Sequence, residues 1–169
     1  MVATHEWKIQ YGTSPGTEWP ESGSAGNCNY MNVDDADETG TEYQGSSIPV
    51  PPSGTNYSYE RYMRAKFSGS FNQIDNMKIW HESGTLSDGN LDLCAGVATS
   101  YATPVNTDSS IATTTLTGWD TEGEALDITN TLTEPGYSKY LVQQVDVPST
   151  VTTPGDISAQ TIKLKYDEQ

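Results

Sequence analysis

Two histidine-glutamate pairs, His5-Glu6 and His81-Glu82, are the residues whose types come nearest to a metal-dependent hydrolase. Neither runs on into H-E-x-x-H, the spacing that sets two imidazoles on one helical face, so the chain offers no zinc motif. The acidic run of Asp34, Asp35, Asp37 and Glu38 supplies hard oxygen atoms of the kind calcium takes. A calcium loop started at Asp35 would place Thr39 at its third ligand position. A solvated acidic loop is therefore the better reading, with these four as candidate ligands only. The hydrolase elbow, the phosphate-binding loop and the dinucleotide turn, each a glycine-containing motif of fixed spacing, are missing. Carboxylate pairs for glycoside cleavage exist in any chain with 23 acidic residues, and their separation is not written in sequence. The expectation is a protein that is not an enzyme and takes no cofactor.

Cys28 and Cys94 are too few for a disulfide framework, and Cys94 lies in the apolar run LDLCAGVA, where a buried free thiol is common. Both are expected to be reduced. The one glycosylation triplet, Asn56-Tyr57-Ser58, carries no weight in that setting.

Positive charge is concentrated. The block Ser58 to Trp80 holds Arg61, Arg64, Lys66 and Lys78, four of the eight Lys and Arg residues of the chain. One reading puts them on the solvent face of a half-buried sheet, paired with the abundant carboxylates, where each pair contributes under about 1 kcal/mol. The other makes them a contact surface for the acidic patch of another subunit. Among the tryptophans, Trp7 and Trp80 fall in predicted strands and read as core or interface, while Trp119, in Gly118-Trp119-Asp120, is the best candidate for an exposed ring. The candidate partner contacts are thus Trp19, Tyr30, Tyr43, Arg61, Arg64, Lys66, Lys78 and Trp119.

Short strands must position these groups. Trp7, Ile9 and Tyr11 alternate with Lys8 and Gln10, the period of a strand with one buried face. From Gly12 to Tyr57 no period is sustained, and this stretch holds seven of the fifteen glycines and five of the nine prolines. It reads as a long irregular arm, 12–57. Within Ser58 to Trp80, Met63, Ala65 and Phe67 alternate before Ser68-Gly69-Ser70, and Met77 and Ile79 alternate after it, which predicts a hairpin. Later runs at Leu91 to Ala98, Ile111 to Leu116, Tyr137 to Val147 and Ile162 to Tyr166 follow turn residues. The fold class is all-β, a β-sandwich or jelly roll of about seven or eight antiparallel strands in a single domain, 1–169.

Composition agrees with that reading. The apolar fraction is 34% and the mean hydropathy −0.60, so ten tyrosines and four tryptophans must supply much of the core. A net charge of −15 and a pI near 4.1 oppose binding to nucleic acid or to anionic membrane surfaces. The start MVATHEWK lacks a basic residue run and an apolar stretch, and the chain is expected not to be exported.

The stretch IPVPPSGTNYSYERYMRAKFSGSFNQIDNMKIWHESG, followed in order by SYATPVNTDSS, PGYSKYLVQQVDV and the terminal TIKLKYDEQ, resembles virion structural proteins of tailed bacteriophages over roughly the last two thirds of the chain. The resemblance implies a non-enzymatic β-sandwich that packs against other virion subunits, with no catalytic residue to carry over. It points to a capsid decoration or cement protein, made in the host cytoplasm and sited on the outer head surface. Its partners would be the major capsid protein and neighbouring copies of itself, with trimers at threefold positions favoured by symmetry. A tail, neck or baseplate component is the alternative within virions, and a carbohydrate-binding module with Trp119 in its platform is the alternative outside them.

Overall fold

Where β-branched and aromatic residues alternate with polar ones, the backbone extends, and each pleat buries every second side chain. The computed structural model describes residues 2–20, 48–153, 155 and 160–169. Among them are ten strands: β1 (Ala3–Tyr11), β2 (Thr17–Pro20), β3 (Thr55–Tyr57), β4 (Arg61–Gly69), β5 (Ile74–Ser83), β6 (Asp92–Ala98), β7 (Leu126–Asp127), β8 (Gly136–Tyr137), β9 (Tyr140–Pro148) and β10 (Thr161–Glu168). The only helical pieces among these residues are two short 3-10 turns, Leu116–Gly118 and Glu122–Glu124. The fold is all-β, in two antiparallel sheets of seven and three strands. The larger has β2, β1, β4 and β9 in order, with β6 beyond β9; the smaller runs β10, β5, β7.

Two breaks in the larger sheet are mended by serines. β3 and β4 lie end to end along one edge of β9, and β8 and β9 lie end to end along β4. At the first break the buried Ser58 hydroxyl accepts the Val145 N–H at 2.9 Å and donates to Tyr59 O. At the second, the buried Ser138 hydroxyl accepts the Ala65 N–H at 2.9 Å and donates to Lys139 O. A hydroxyl thus stands in for the ladder carbonyl that each offset removes, so no strand N–H is left orphaned there.

The two sheets face one another across a single core that includes Ile9, Met63, Phe67, Met77, Ile79, Leu93, Ile128, Leu141 and Val145. Ile162, Leu164 and Tyr166 of β10 turn towards it and their neighbours Lys163, Lys165 and Asp167 turn out, as the alternation predicts. A second, smaller cluster lies on the far side of the larger sheet. There Tyr62, Cys94, Tyr140 and Val142 are covered by Tyr101, Ile111 and Ala112 of the segment that follows β6. Gln144 pins that cover: its side chain accepts the Ser109 N–H at 3.0 Å and donates to Thr107 O at 2.9 Å.

Several expectations are corrected. The strands flanking Ser68-Gly69-Ser70 do not form a hairpin, because β4 joins the larger sheet and β5 the smaller. Gly69 turns the corner with φ +98, and a Cβ there would sit 2.9 Å from Val2 O. Ile111 to Leu116 is not a strand; only Thr114 bridges to Ala95, Ile111 and Ala112 lie across the sheet as cover, and Leu116 packs against the main core. The two ends of the irregular stretch 12–57 are themselves sheet, since Thr17–Pro20 pairs with β1 and Thr55–Tyr57 with β9.

Candidate partner interface

The basic block divides between two surfaces because β4 and β5 part at Gly69. On the outer face of the larger sheet, Arg64 and Lys66 project beside Lys8 and Gln10 of β1 and Tyr140 of β9. The Arg64 guanidinium lies 3.8 Å from the centre of the Tyr137 ring and 4.7 Å from that of Tyr140. One of its terminal nitrogens meets Glu18 Oε2 at 2.6 Å, while its Nε is shut off from solvent with no hydrogen-bond partner. Glu18 accepts from the Tyr137 hydroxyl as well, at 3.2 Å. Lys66 Nζ stands 5.9 Å from the same ring and 3.8 Å from Glu6, which Lys8 also contacts at 3.0 Å. These lysines, Lys8 foremost, hold the exposed Glu6 carboxyl below its ordinary range.

Beside this cluster opens a cleft of about 380 Å³ lined by Arg64, Thr99, Asn130, Glu134, Tyr137 and Tyr140, among others. An arginine sandwiched against tyrosines at the rim of a cleft is the composition that interface hot spots favour, since rigid rings bring area at low entropic cost.

The remaining candidates fall elsewhere. Arg61 is buried, paired in register with Gln143 on the inward side of β4, so it is no surface contact. Lys78 is exposed on the outer face of the smaller sheet, opposite Asp127 of β7 and Lys165 of β10. Trp119 is fully buried, with its ring nitrogen donating to Leu93 O at 3.2 Å, and cannot be an exposed platform. Gly118 and Asp120 led to the opposite expectation because local polarity says nothing about which face of a turn meets the core. Trp19 belongs to β2, with its side chain outside the described set; Tyr30, Tyr43, Asp34, Asp35, Asp37, Glu38 and Cys28 also lie outside the described residues. Among the described residues, no group of three His, Cys, Asp or Glu is arranged to hold a metal ion, and no helix is long and apolar enough to cross a membrane. His5 and His81 are apart: His5 packs against Phe67 and Tyr166, and the buried His81 shares a 2.8 Å hydrogen bond with Gln160.

Sequence reasoning missed Tyr137, Glu18 and Tyr140. Tyr137 and Tyr140 stand in the run read as one strand from Tyr137 to Val147, where a spacing of three would put the two rings on opposite faces; the Ser138 offset between β8 and β9 is what returns both rings to Arg64.

Under the cover of the same sheet lies an electrostatically strained group. Asp146 of β9 stands directly opposite Asp92 of β6, a like-charge cross-strand pair, and its Oδ1 is shut off from solvent without a hydrogen-bond partner. Burial, with Asp92 and Asp108 adding repulsion, pushes its carboxyl up from 3.8 to about 6, and the Cys94 thiol 3.6 Å away is pushed up to about 12, chiefly by burial. A carboxyl whose folded pKa is raised destabilises the fold when ionised, so its contribution improves as pH falls from 7 through 6 towards 4. Asp146→Asn is expected to stabilise the protein at pH 7 by about 1 kcal/mol, a shift of two pKa units discounted for a half-buried site, and to gain nothing at pH 4. Urea unfolding of both proteins across that range tests it; a difference independent of pH would show that Asp146 does not titrate there.

Comparison with protein-family models, with curated proteins and with solved structures gave no match to this chain.

Proposed function

We propose that the chain is a non-enzymatic virion structural protein that decorates the outer surface of a bacteriophage head and stabilises the shell. The observation that carries the reading is the Arg64, Lys66 and Tyr137 cluster beside its cleft, where basic side chains lie against an aromatic ring and are matched by Glu18 and Glu6, on a chain of net charge −15. Such a surface suits a partner subunit that offers carboxylates in exchange for those of Glu18 and Glu6, with the excess negative charge of the chain turned to solvent rather than to packaged DNA. A two-sheet core of the kind a β-sandwich or jelly roll requires, and the collinear resemblance to tailed-phage virion proteins, support it further. Standard interfaces of roughly 1,600 Å² suffice for lasting attachment.

The test mixes purified protein with undecorated heads and counts copies retained after sedimentation. Wild type is expected to bind in hundreds of copies, and Arg64→Glu with Lys66→Glu to bind at least tenfold fewer while keeping its circular dichroism spectrum. Absence of wild-type binding overturns the reading; a handful of copies on complete virions favours the tail, neck or baseplate alternative. Binding to polysaccharide resin alone would favour the carbohydrate module, whose Trp119 platform is already lost to the core.

A further inference from the structure

β10 ends the smaller sheet: it pairs with β5 on one side, and among the described residues no strand pairs with its other edge. In an antiparallel ladder alternate residues direct N–H and C=O to each side, so about half the backbone polar groups of this eight-residue strand face outwards. The other sheet ends are shorter or covered. β7 has two residues, β2 has four and leaves five of β1, Ala3 to Trp7, without a strand on that side among the described residues, and the outer side of β6 is met by Thr114, which exchanges both backbone hydrogen bonds with Ala95 at 2.8 and 2.9 Å. β10 is also regular. Register shifts occur between Thr161 and Ile162 and between Lys165 and Asp167, but each extra residue belongs to β5, which advances from Ser83 to His81 and from Lys78 to Asp75 over those steps. Asn76, at φ +50, is one of them. Nothing on β10 itself interrupts pairing: it has no proline and no bulge.

The sign of charge reverses along the outward side, from Lys163 and Lys165 to Asp167. An antiparallel second copy therefore brings positive against negative. To continue the sheet with both cores on the same side, opposed residues must share a face, so the twofold axis passes through a residue. An axis at Leu164 sets Lys163 against Lys165, and one at Lys165 sets that lysine against itself. An axis at Tyr166 sets Lys165 against Asp167 twice and Lys163 against Gln169 twice, with no like charges opposed.

We propose that β10 pairs with β10 of a second copy about a twofold axis at Tyr166, joining two three-stranded sheets into one of six strands. Lys165 and Asp167 already touch Glu122 and Asn76 of their own chain, through exposed contacts that each hold little and can be shared. Edge pairing alone buries less than a standard interface, so the dimer is weak, with a dissociation constant of order 100 μM. Its use on a particle, where copies are held close together, rests on the assignment to a capsid surface; its existence in solution does not.

Sedimentation of the full chain from about 10 to 1,000 μM tests it. Wild type is expected to show a reversible monomer-dimer equilibrium, which Lys165→Glu or Asp167→Lys weakens about tenfold through two like-charge pairs. Mixing the two single variants is expected to restore dimers, as is the swap Lys165→Asp with Asp167→Lys. Hydrogen exchange on wild type adds a readout that needs no variant: alternate amides of 163–169 gain protection with concentration. A wild-type chain monomeric throughout, or a dimer indifferent to Asp167→Lys, overturns the proposal. Head binding without dimers counts against this edge alone, and dimers without head binding count against the capsid assignment alone.

Discussion

Trp119→Ala is expected to remove about 3–5 kcal/mol of folding stability, the cost of emptying a large buried ring that its surroundings cannot refill. The indole is fully buried and touches both sheets. Its Nε1 donates to Leu93 O of β6 at 3.2 Å, its backbone carbonyl accepts the His81 N–H of β5 at 2.9 Å, and its ring meets the His81 imidazole edge-on at 5.9 Å. The smaller sheet holds only three strands, and Trp119 ties its central strand β5 to β6 of the larger sheet. Trp119→Phe separates packing from hydrogen bonding: it keeps most of the ring, leaves Leu93 O without its donor, and is expected to cost about 1–2 kcal/mol. Denaturant unfolding of the three proteins gives both numbers. An alanine variant with the wild-type midpoint would mean that the ring is not part of the core.

Trp119 also marks the limit of what the chain reveals before it folds. The strands at Ala3–Tyr11, Arg61–Gly69, Ile74–Ser83 and Thr161–Glu168 are legible because each contains apolar residues at alternate positions, and period two follows directly from the pleat. Sheet membership is not legible in that way. Met63, Ala65 and Phe67 alternate just as Met77 and Ile79 do, yet Gly69 sends the two strands to different layers, and only long-range pairing with β1 and β10 decides this. The same division splits the basic block, leaving Arg64 and Lys66 on one face, Lys78 on another and Arg61 inside. The Arg64 cluster draws Glu18 from β2 and Tyr137 from β8, partners 46 and 119 residues apart from one another or from Arg64 along the chain, and no local pattern records such a meeting. Ile111 to Leu116 misled for a further reason: an apolar run that covers a sheet and one that extends it bury similar side chains.

That cover sets up the second large effect. Gly96→Ala is expected to cost about 3 kcal/mol or more, because a Cβ at this position of β6 would lie 1.8 Å from Ile111 O and 2.7 Å from Ile111 C. Both are backbone atoms, so no rotamer change can relieve the clash; either β6 or the whole covering segment must move. β6 is held along its length by β9, from Asp92 opposite Asp146 to Ala98 opposite Tyr140, whereas the cover is held at points such as Gln144 and the Thr114 bridge. The cover is therefore the part that should lift. Cys94 reports this directly, since it lies two residues away on the same face, buried in the cluster that Ala112 and Ile111 close. In a Cys28→Ser background, labelling of Cys94 by a thiol reagent is expected to be slow for the glycine form and at least tenfold faster for the alanine form, alongside the fall in unfolding midpoint. A destabilised variant whose Cys94 stays protected would place the yielding element in β6 instead, and unchanged stability would mean that Ile111 does not cross the sheet at Gly96.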